Sequence, residues 1–174
     1  MLITPTGSVL EEMRPADLVI VDLATGIATG GKPSSESDAH RAIYRRRPDV
    51  AAIVHAHPPI CVGFALARMD MGKPCNLEIY ATIGRPARVK FAAPGESGSR
   101  LEPVLDDSDC FLLDNHGVIT LGQTPTQARH RLEALEAFAK SLLVARLLGG
   151  EKPFNASEIA AIRRYCERAG LVLR

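Results

Sequence analysis

Two histidines carry the strongest hint of chemistry in this chain: His55 and His57, within Val54-His55-Ala56-His57-Pro58. An apolar run, Val50-Ala51-Ala52-Ile53-Val54, leads into them and reads as a strand. Side chains alternate along a strand, so both imidazoles point to one side with only Ala56 between them. Rings about 7 Å apart along a strand can grip one metal ion, since a zinc–nitrogen bond spans ~2.0–2.1 Å. Spacing alone fits two polar groups at a strand end just as well, so other ligands must decide. His116 stands in Asp114-Asn115-His116-Gly117, between two strand-like runs, where Gly117 lets the backbone turn tightly and aim an imidazole into a cleft. Glu36 stands at a helix start, beside the hydroxyls of Ser34 and Ser35. These residues make a candidate set of three histidines and one carboxylate. A catalytic zinc commonly has three protein ligands and keeps one position open. A carboxylate able to bind and release the ion would supply an open position and a base together. A chain with five histidines always offers some triad, so the set is suggestive by itself.

The elements that must position these residues follow from local patterns. Leu2-Ile3-Thr4 reads as a short strand ended by Pro5. Leu18-Val19-Ile20-Val21 and Ile27-Ala28-Thr29 flank a Gly26 turn and predict a hairpin. Ser34 and Ser35 offer N-cap hydroxyls to a helix with acidic Glu36 and Asp38 in its first turn, running to about Arg47 before Pro48. Its apolar face is Ala39, Ala42 and Ile43. Pro58-Pro59 open a helix to about Arg68. Residues 77–82 and 87–91 are expected to be strands around Gly84-Arg85-Pro86, and Pro94-Gly95-Glu96-Ser97-Gly98 a loop that opens a short helix. Residues 110–113 and 118–121 are buried strands. Thr124-Pro125 caps the longest helix, whose Leu132, Leu135, Phe138, Leu142 and Leu143 form a core or interface stripe before Gly149-Gly150. A last helix covers about residues 157–168. The irregular alternation predicts one domain over residues 1–174, with a mixed, largely antiparallel sheet covered by helices.

Bulk properties exclude several classes. With 46% hydrophobic and 24% charged residues, the 174-residue chain has the composition of an ordinary globular domain. A formal net charge of +1 provides no field for nucleic acid, and short clusters such as Arg45-Arg46-Arg47 read as solvated helix faces. No apolar run approaches the ~20 residues that span a membrane. The four cysteines are scattered without a C-x-x-C pair, which argues for free thiols in a reducing compartment, the cytoplasm.

Read in order, Leu2-Ile3-Thr4-Pro5-Thr6-Gly7, Lys32-Pro33-Ser34-Ser35-Glu36, His55-Ala56-His57-Pro58 and Asn115-His116-Gly117 resemble the class II aldolase/adducin family, most closely its L-fuculose-1-phosphate aldolase branch. The resemblance runs from Leu2 to about Leu171. It implies a three-layer α/β/α fold and a homotetramer with active sites at subunit interfaces. His55, His57 and His116 would be metal ligands, and Glu36 the fourth ligand and the acid/base. Thr6, Gly7, Ser34 and Ser35 match segments that hold the substrate phosphate; for the serines, free amides at a helix N-terminus favour an anion in any case. The ion is expected to be Zn2+, with Mn2+, Co2+ or Fe2+ as alternatives. His40 also matches a family histidine and is expected to be a packed helix residue, while His130 is expected at the surface.

The implied reaction is reversible cleavage of a ketose 1-phosphate to dihydroxyacetone phosphate and an aldehyde, with Glu36 moving the proton and no lysine Schiff base. Three departures bear on the substrate. The chain is expected to lack the family's N-terminal helix and strand, which carry a Gly-Asn-x-Ser phosphate segment. Glu78 stands where the branch has a tyrosine proton donor, with Tyr80 two positions on and, in a strand, on the same face. Ala169 stands where the family has a C-terminal tyrosine, with Tyr165 one helical turn earlier. Pentulose-5-phosphate 4-epimerases and decarboxylases of phosphorylated keto acids share the metal site. The former tend to have aspartate at the place of Glu36, and the latter lysine at the place of Ser35. An adducin-like interaction module, the non-enzymatic alternative, would have lost ligands that are all present here.

Overall fold

The structure, a computed structural model, describes residues 1–93 and 95–171, so Pro94 of the expected loop lies outside the described residues. The chain divides into two compact units, one of residues 1–48 and 92–103, the other of residues 49–91 and 104–174.

In the first unit, β1 (Leu2–Ile3), β2 (Val19–Val21) and β3 (Ala28–Thr29) form an antiparallel sheet in that order. Period-two alternation buries Ile3, Val19 and Val21 together and leaves the facing pair Leu2 and Ile20 exposed. The expected hairpin is present. Asp22 accepts the Thr25 amide at 2.6 Å and its hydroxyl at 2.8 Å, which holds the Asp22 carboxyl below the usual range. Residues on either side of Pro5 and Pro33 lie alongside one another: Thr6 N donates to Lys32 O at 3.2 Å and Ser34 N to Thr4 O at 2.9 Å.

Helix α1 (Ser37–Arg46) buries Ala39 and Ile43 and ends before Pro48, as expected. Its start differs. The N-cap is Glu36, without a side-chain cap bond, while Ser34 Oγ accepts the Glu36 amide at 3.2 Å and Ser34 O the Ser37 amide at 3.0 Å. Ser34 therefore builds a turn ahead of the helix instead of capping it. Short hydroxyl side chains compete for nearby backbone donors in this way. Helix α4 (Ser97–Leu101) packs on α1 through Gly98, whose amide donates to Asp38 Oδ2 at 2.9 Å.

The second unit holds a four-stranded sheet of β4 (Ala52–Ala56), β5 (Ala87–Val89), β6 (Cys110–Leu113) and β7 (Val118–Gly122), in the order β4-β7-β6-β5. Only the β5–β6 pairing is parallel among the described strands, which gives the expected mixed, largely antiparallel α/β character. Every residue of β6 and β7 is buried, so both faces of these central strands are covered. One face packs Cys110, Leu112 and Val118 against α2 (Pro59–Leu66) and α5 (Pro125–Leu147), which contribute Cys61, Phe64, Leu135, Phe138 and Leu142. α6 (Ala156–Arg168) starts at a full capping box from Asn155 and Glu158. Among the described residues no helix is long and apolar enough to cross a membrane, and all four cysteines are free.

The expectation of a strand over residues 77–82 is wrong. Leu77–Ile83 is a helix, α3, capped by Asn76 Oδ1, which accepts the Ile79 amide at 3.0 Å, and closed by Gly84 at φ 64°. Leu-Glu-Ile-Tyr-Ala-Thr-Ile satisfies alternation, but Tyr80 and Ile83 also share one face of a helix, and that face is the buried one.

Candidate metal centre

β4 and the turn between β6 and β7 bring three imidazoles of the second unit together. His55 lies in β4 opposite Ile119, His57 follows one residue past the strand end, and His116 lies in the β6–β7 turn. The ring centroids are 4.8 Å apart for His55–His57 and for His55–His116, and 5.1 Å for His57–His116. One ligand nitrogen from each ring lies within 4.8 Å of the others. His57 is exposed and the other two rings are half-buried, so the cluster opens to its surroundings.

His55 Nδ1 is 2.9 Å from Val118 O. A carbonyl oxygen can only accept, so Nδ1 carries the proton and the ring lone pair sits on Nε2, the form that ligates a metal. This backbone-anchored imidazole is what a metal ligand needs: its tautomer and orientation are set before any ion arrives. Three imidazole nitrogens this close together suit zinc and other borderline divalent ions. The donor set fits a metal.

The turn carrying His116 is tied down at several points. Asn115 adopts the left-handed conformation, φ 59°, and its amide donates to Ala65 O at 3.1 Å while its side-chain oxygen accepts from Arg68 Nε at 2.9 Å. Asp114, 4% exposed, accepts both Arg88 Nε and Arg88 Nη2 at 2.7 Å, a two-point ion pair to β5. The sharp turn expected of Gly117 is thus made by Asn115, a residue whose short polar side chain tolerates positive φ. Gly117 has another reason to be glycine. A Cβ there would stand 2.6 Å from Ala56 O and 2.6 Å from the His57 ring. Only a hydrogen fits between the turn and the ligand-bearing segment.

Glu36 belongs to the first unit, where its Oε2 is buried without a hydrogen-bond partner among the described residues. A buried carboxylate oxygen in that state is costly unless a cation or donor meets it. In the same unit Thr6 and Gly7 are exposed, Gly7 at φ 74°, Ser34 is half-buried and Ser35 exposed. The uncapped first turn of α1 presents amides beside the two serines. His40, one turn along α1, is pushed down to about 4 by burial and is neutral at pH 7. His130 is exposed on α5, as expected.

Tyr80 is not on a strand face with Glu78. In α3 the two side chains diverge by about 200°, Glu78 outward and Tyr80 into a cluster with Ile162 and Cys166. Its hydroxyl accepts from Arg163 Nε at 3.4 Å. Tyr165, by contrast, is 57% exposed on α6. Sequence reasoning missed the supports Arg88, Asp114 and Arg68. An acidic residue at the end of an all-apolar strand, next to the candidate His116, was the available signal for the first two.

Residues 1–143 match the family described as class II aldolase and adducin N-terminal domain. An L-fuculose phosphate aldolase of Methanococcus vannielii is 35% identical over 140 residues, 79% of this chain and 75% of that protein. A 3-oxo-tetronate 4-phosphate decarboxylase of Pectobacterium atrosepticum is 33% identical over 150 residues, 83% of this chain and 69% of that protein. Among solved structures, an L-fuculose 1-phosphate aldolase superposes with a TM-score of 0.87 at 27% identity, covering 98% of this chain and 80% of that one. By sequence, fold and the histidine cluster, the chain belongs to the class II aldolase and adducin family, as an aldolase-type enzyme, a lyase.

Proposed function

We propose that the protein is a zinc-dependent aldolase that reversibly cleaves a ketose 1-phosphate of the L-fuculose 1-phosphate type to dihydroxyacetone phosphate and an aldehyde. The observation that carries the proposal is the triad His55, His57 and His116, with His55 held in its ligating tautomer by Val118 O. Family membership supports the rest. When bound, a divalent ion supplies a Lewis acid against the oxygen charge that develops as the carbon–carbon bond breaks.

Glu36 is the proposed fourth ligand and the group that takes and returns the proton; its partnerless buried oxygen supports a role that needs a cation or a proton. Ser34, Ser35, Thr6 and Gly7 hold the substrate phosphate, favoured by the serine hydroxyls and the first-turn amides of α1. The proton donor to the leaving fragment is a tyrosine. Tyr80 keeps that assignment only if its buried hydroxyl leaves Arg163, whereas Tyr165 is already exposed. A cytoplasmic homotetramer with active sites at subunit interfaces completes the reading.

The decarboxylase relatives give the second reading, loss of carbon dioxide from a phosphorylated 3-oxo acid, by the same metal and acid/base groups. The test is turnover of the purified, zinc-loaded protein on ketose 1-phosphates, pentulose 5-phosphates and 3-oxo acid phosphates. Release of dihydroxyacetone phosphate together with an aldehyde from a ketose 1-phosphate supports the aldolase. Release of carbon dioxide from a 3-oxo acid phosphate (whose four-carbon form also leaves dihydroxyacetone phosphate), with no cleavage of any ketose 1-phosphate, replaces it by the decarboxylase. A pure protein with no affinity for zinc and no turnover refutes both.

A further inference from the structure

Helix α2 begins two residues after His57, and its start is chemically unusual. Its N-cap is Pro58 and its first helical residue Pro59, and neither can supply the side-chain oxygen that normally accepts the next two amides. Those amides, Ile60 N and Cys61 N, donate instead to a single carboxylate some 75 positions away in sequence. Glu136 on α5 accepts Ile60 N through Oε1 and Cys61 N through Oε2, each at 2.9 Å. One side chain from another helix thus does the work of an N-cap for α2, and its negative charge faces the positive end of that helix.

We infer that Glu136 is a positioning residue for the metal centre: by capping α2 from α5 it fixes where β4 ends and therefore where His57 points. Two neighbours make the geometry tight. Ala56 is held in β4 by its pairing with Val118, and Pro58 is held by the capped helix, so His57 is the one residue between two fixed points. On the side toward the His116 turn, Gly117 is in contact range of the Ala56 carbonyl and the His57 ring. α5 itself packs on β4 and on β7 as well as on α2, so the cap is referenced to the same helix that backs the ligand strand. Glu136 touches neither a ligand nitrogen nor substrate in this account; it acts through the backbone.

The inference rests on the metal-site reading above, and the experiment separates the two. Zinc affinity is measured by competition with a chromophoric chelator for the wild type, Glu136→Gln and Ile162→Ala, at a temperature where all are folded. A carboxamide can accept only one of the two amides and turns its own N–H groups toward the other. The expected result is a loss of about tenfold in zinc affinity for Glu136→Gln, at the low end for partners that orient a metal ligand. Hydrogen exchange at the Ile60 and Cys61 amides is expected to accelerate in the same variant. Ile162→Ala removes core volume beneath α6, so it is expected to melt lower and to bind zinc as the wild type does. Wild-type zinc affinity in Glu136→Gln, with or without faster exchange, overturns the inference and leaves the metal site standing. Absence of zinc binding by the wild type overturns the metal reading and this inference with it. If Glu136→Gln does not fold, Glu136→Asp, which keeps the charge but withdraws it by one methylene, is read in the same assay with the same criterion.

Discussion

Replacing Gly117 by alanine tests the architecture of the histidine cluster most directly. The added Cβ would lie 2.6 Å from Ala56 O, 2.6 Å from His57 Cδ2 and 3.3 Å from His57 Nε2. Comfortable separations for such carbon contacts are about 3.5–4.0 Å, so roughly 1 Å of displacement is required. The carbonyl cannot give way easily, because Ala56 is paired with Val118 in the sheet. The His57 ring must therefore swing, or the β6–β7 turn must lift. Overpacking of this kind costs about 1–3 kcal/mol. For a chain of this size each kcal/mol lowers the melting temperature by about 2–4 °C, which predicts a fall of about 2–12 °C. A shift of about 1 Å in a group that must hold a reacting centre can cost about 100-fold in rate, so turnover is expected to fall further than stability.

The assay is thermal unfolding with and without zinc, together with chelator competition, on Gly117→Ala and on Gly63→Ala as the control. Gly63 lies within α2, has no atom within 4 Å of an added Cβ and does not adopt positive φ, so alanine there is expected to be neutral or stabilising by up to about 1 kcal/mol. If Gly117→Ala melts within 1 °C of wild type (about the smallest shift the size scaling resolves) and keeps its zinc affinity, the close-approach argument is refuted.

Three further outcomes are expected. Glu36→Gln should retain zinc, as the three histidines remain, and should lose turnover; undiminished turnover by a metal-loaded Glu36→Gln protein rules out its acid/base role. Arg88→Met strands the buried Asp114 carboxylate and should lower the denaturant midpoint, by less than loss of a fully buried pair would because Arg88 is one-third exposed. His40 should make stability depend on acid: burial pushes it from 6.5 down to about 4, so the unfolded chain binds a proton the folded chain refuses between those values. Its contribution of about 3 kcal/mol is full above pH 6.5, falls as pH drops toward 4 and does not change below, and a His40→Gln variant should flatten that part of the profile.

Much of the fold was legible because its signals are local. The alternation in Ile3, Val19 and Val21, the Asp22–Gly26 turn, Pro48, the Thr124-Pro125 cap and the Leu135–Leu142 stripe all report on residues within one or two turns of themselves. Residues 77–82 read as a strand because a short apolar pattern fits both periods, and the arbiter is Asn76, whose side chain caps the helix Leu77–Ile83. Ser34 and Ser35 have the chemistry of caps, but sequence names the hydroxyl and not the amide it meets.

For the site, sequence alone pointed to the candidate ligands: His55 and His57 share a strand face by period two, and the order of the motifs around Glu36 and His116 resembles that of one family. Tertiary structure decided everything that depends on distance between remote segments. It brought His116 to within 4.8 Å of the strand pair, chose Val118 O to set the His55 tautomer, and made Gly117 a matter of close approach instead of turn geometry. It also recruited Glu136, whose only mark in the sequence is an acid on the apolar stripe between Leu132 and Ala139, to cap a helix that starts with two prolines. The physical reason is the same in each case. Periodicity and side-chain chemistry are properties of neighbouring residues, whereas a hydrogen bond or a steric stop between residues 60 or more apart exists only once the core has packed.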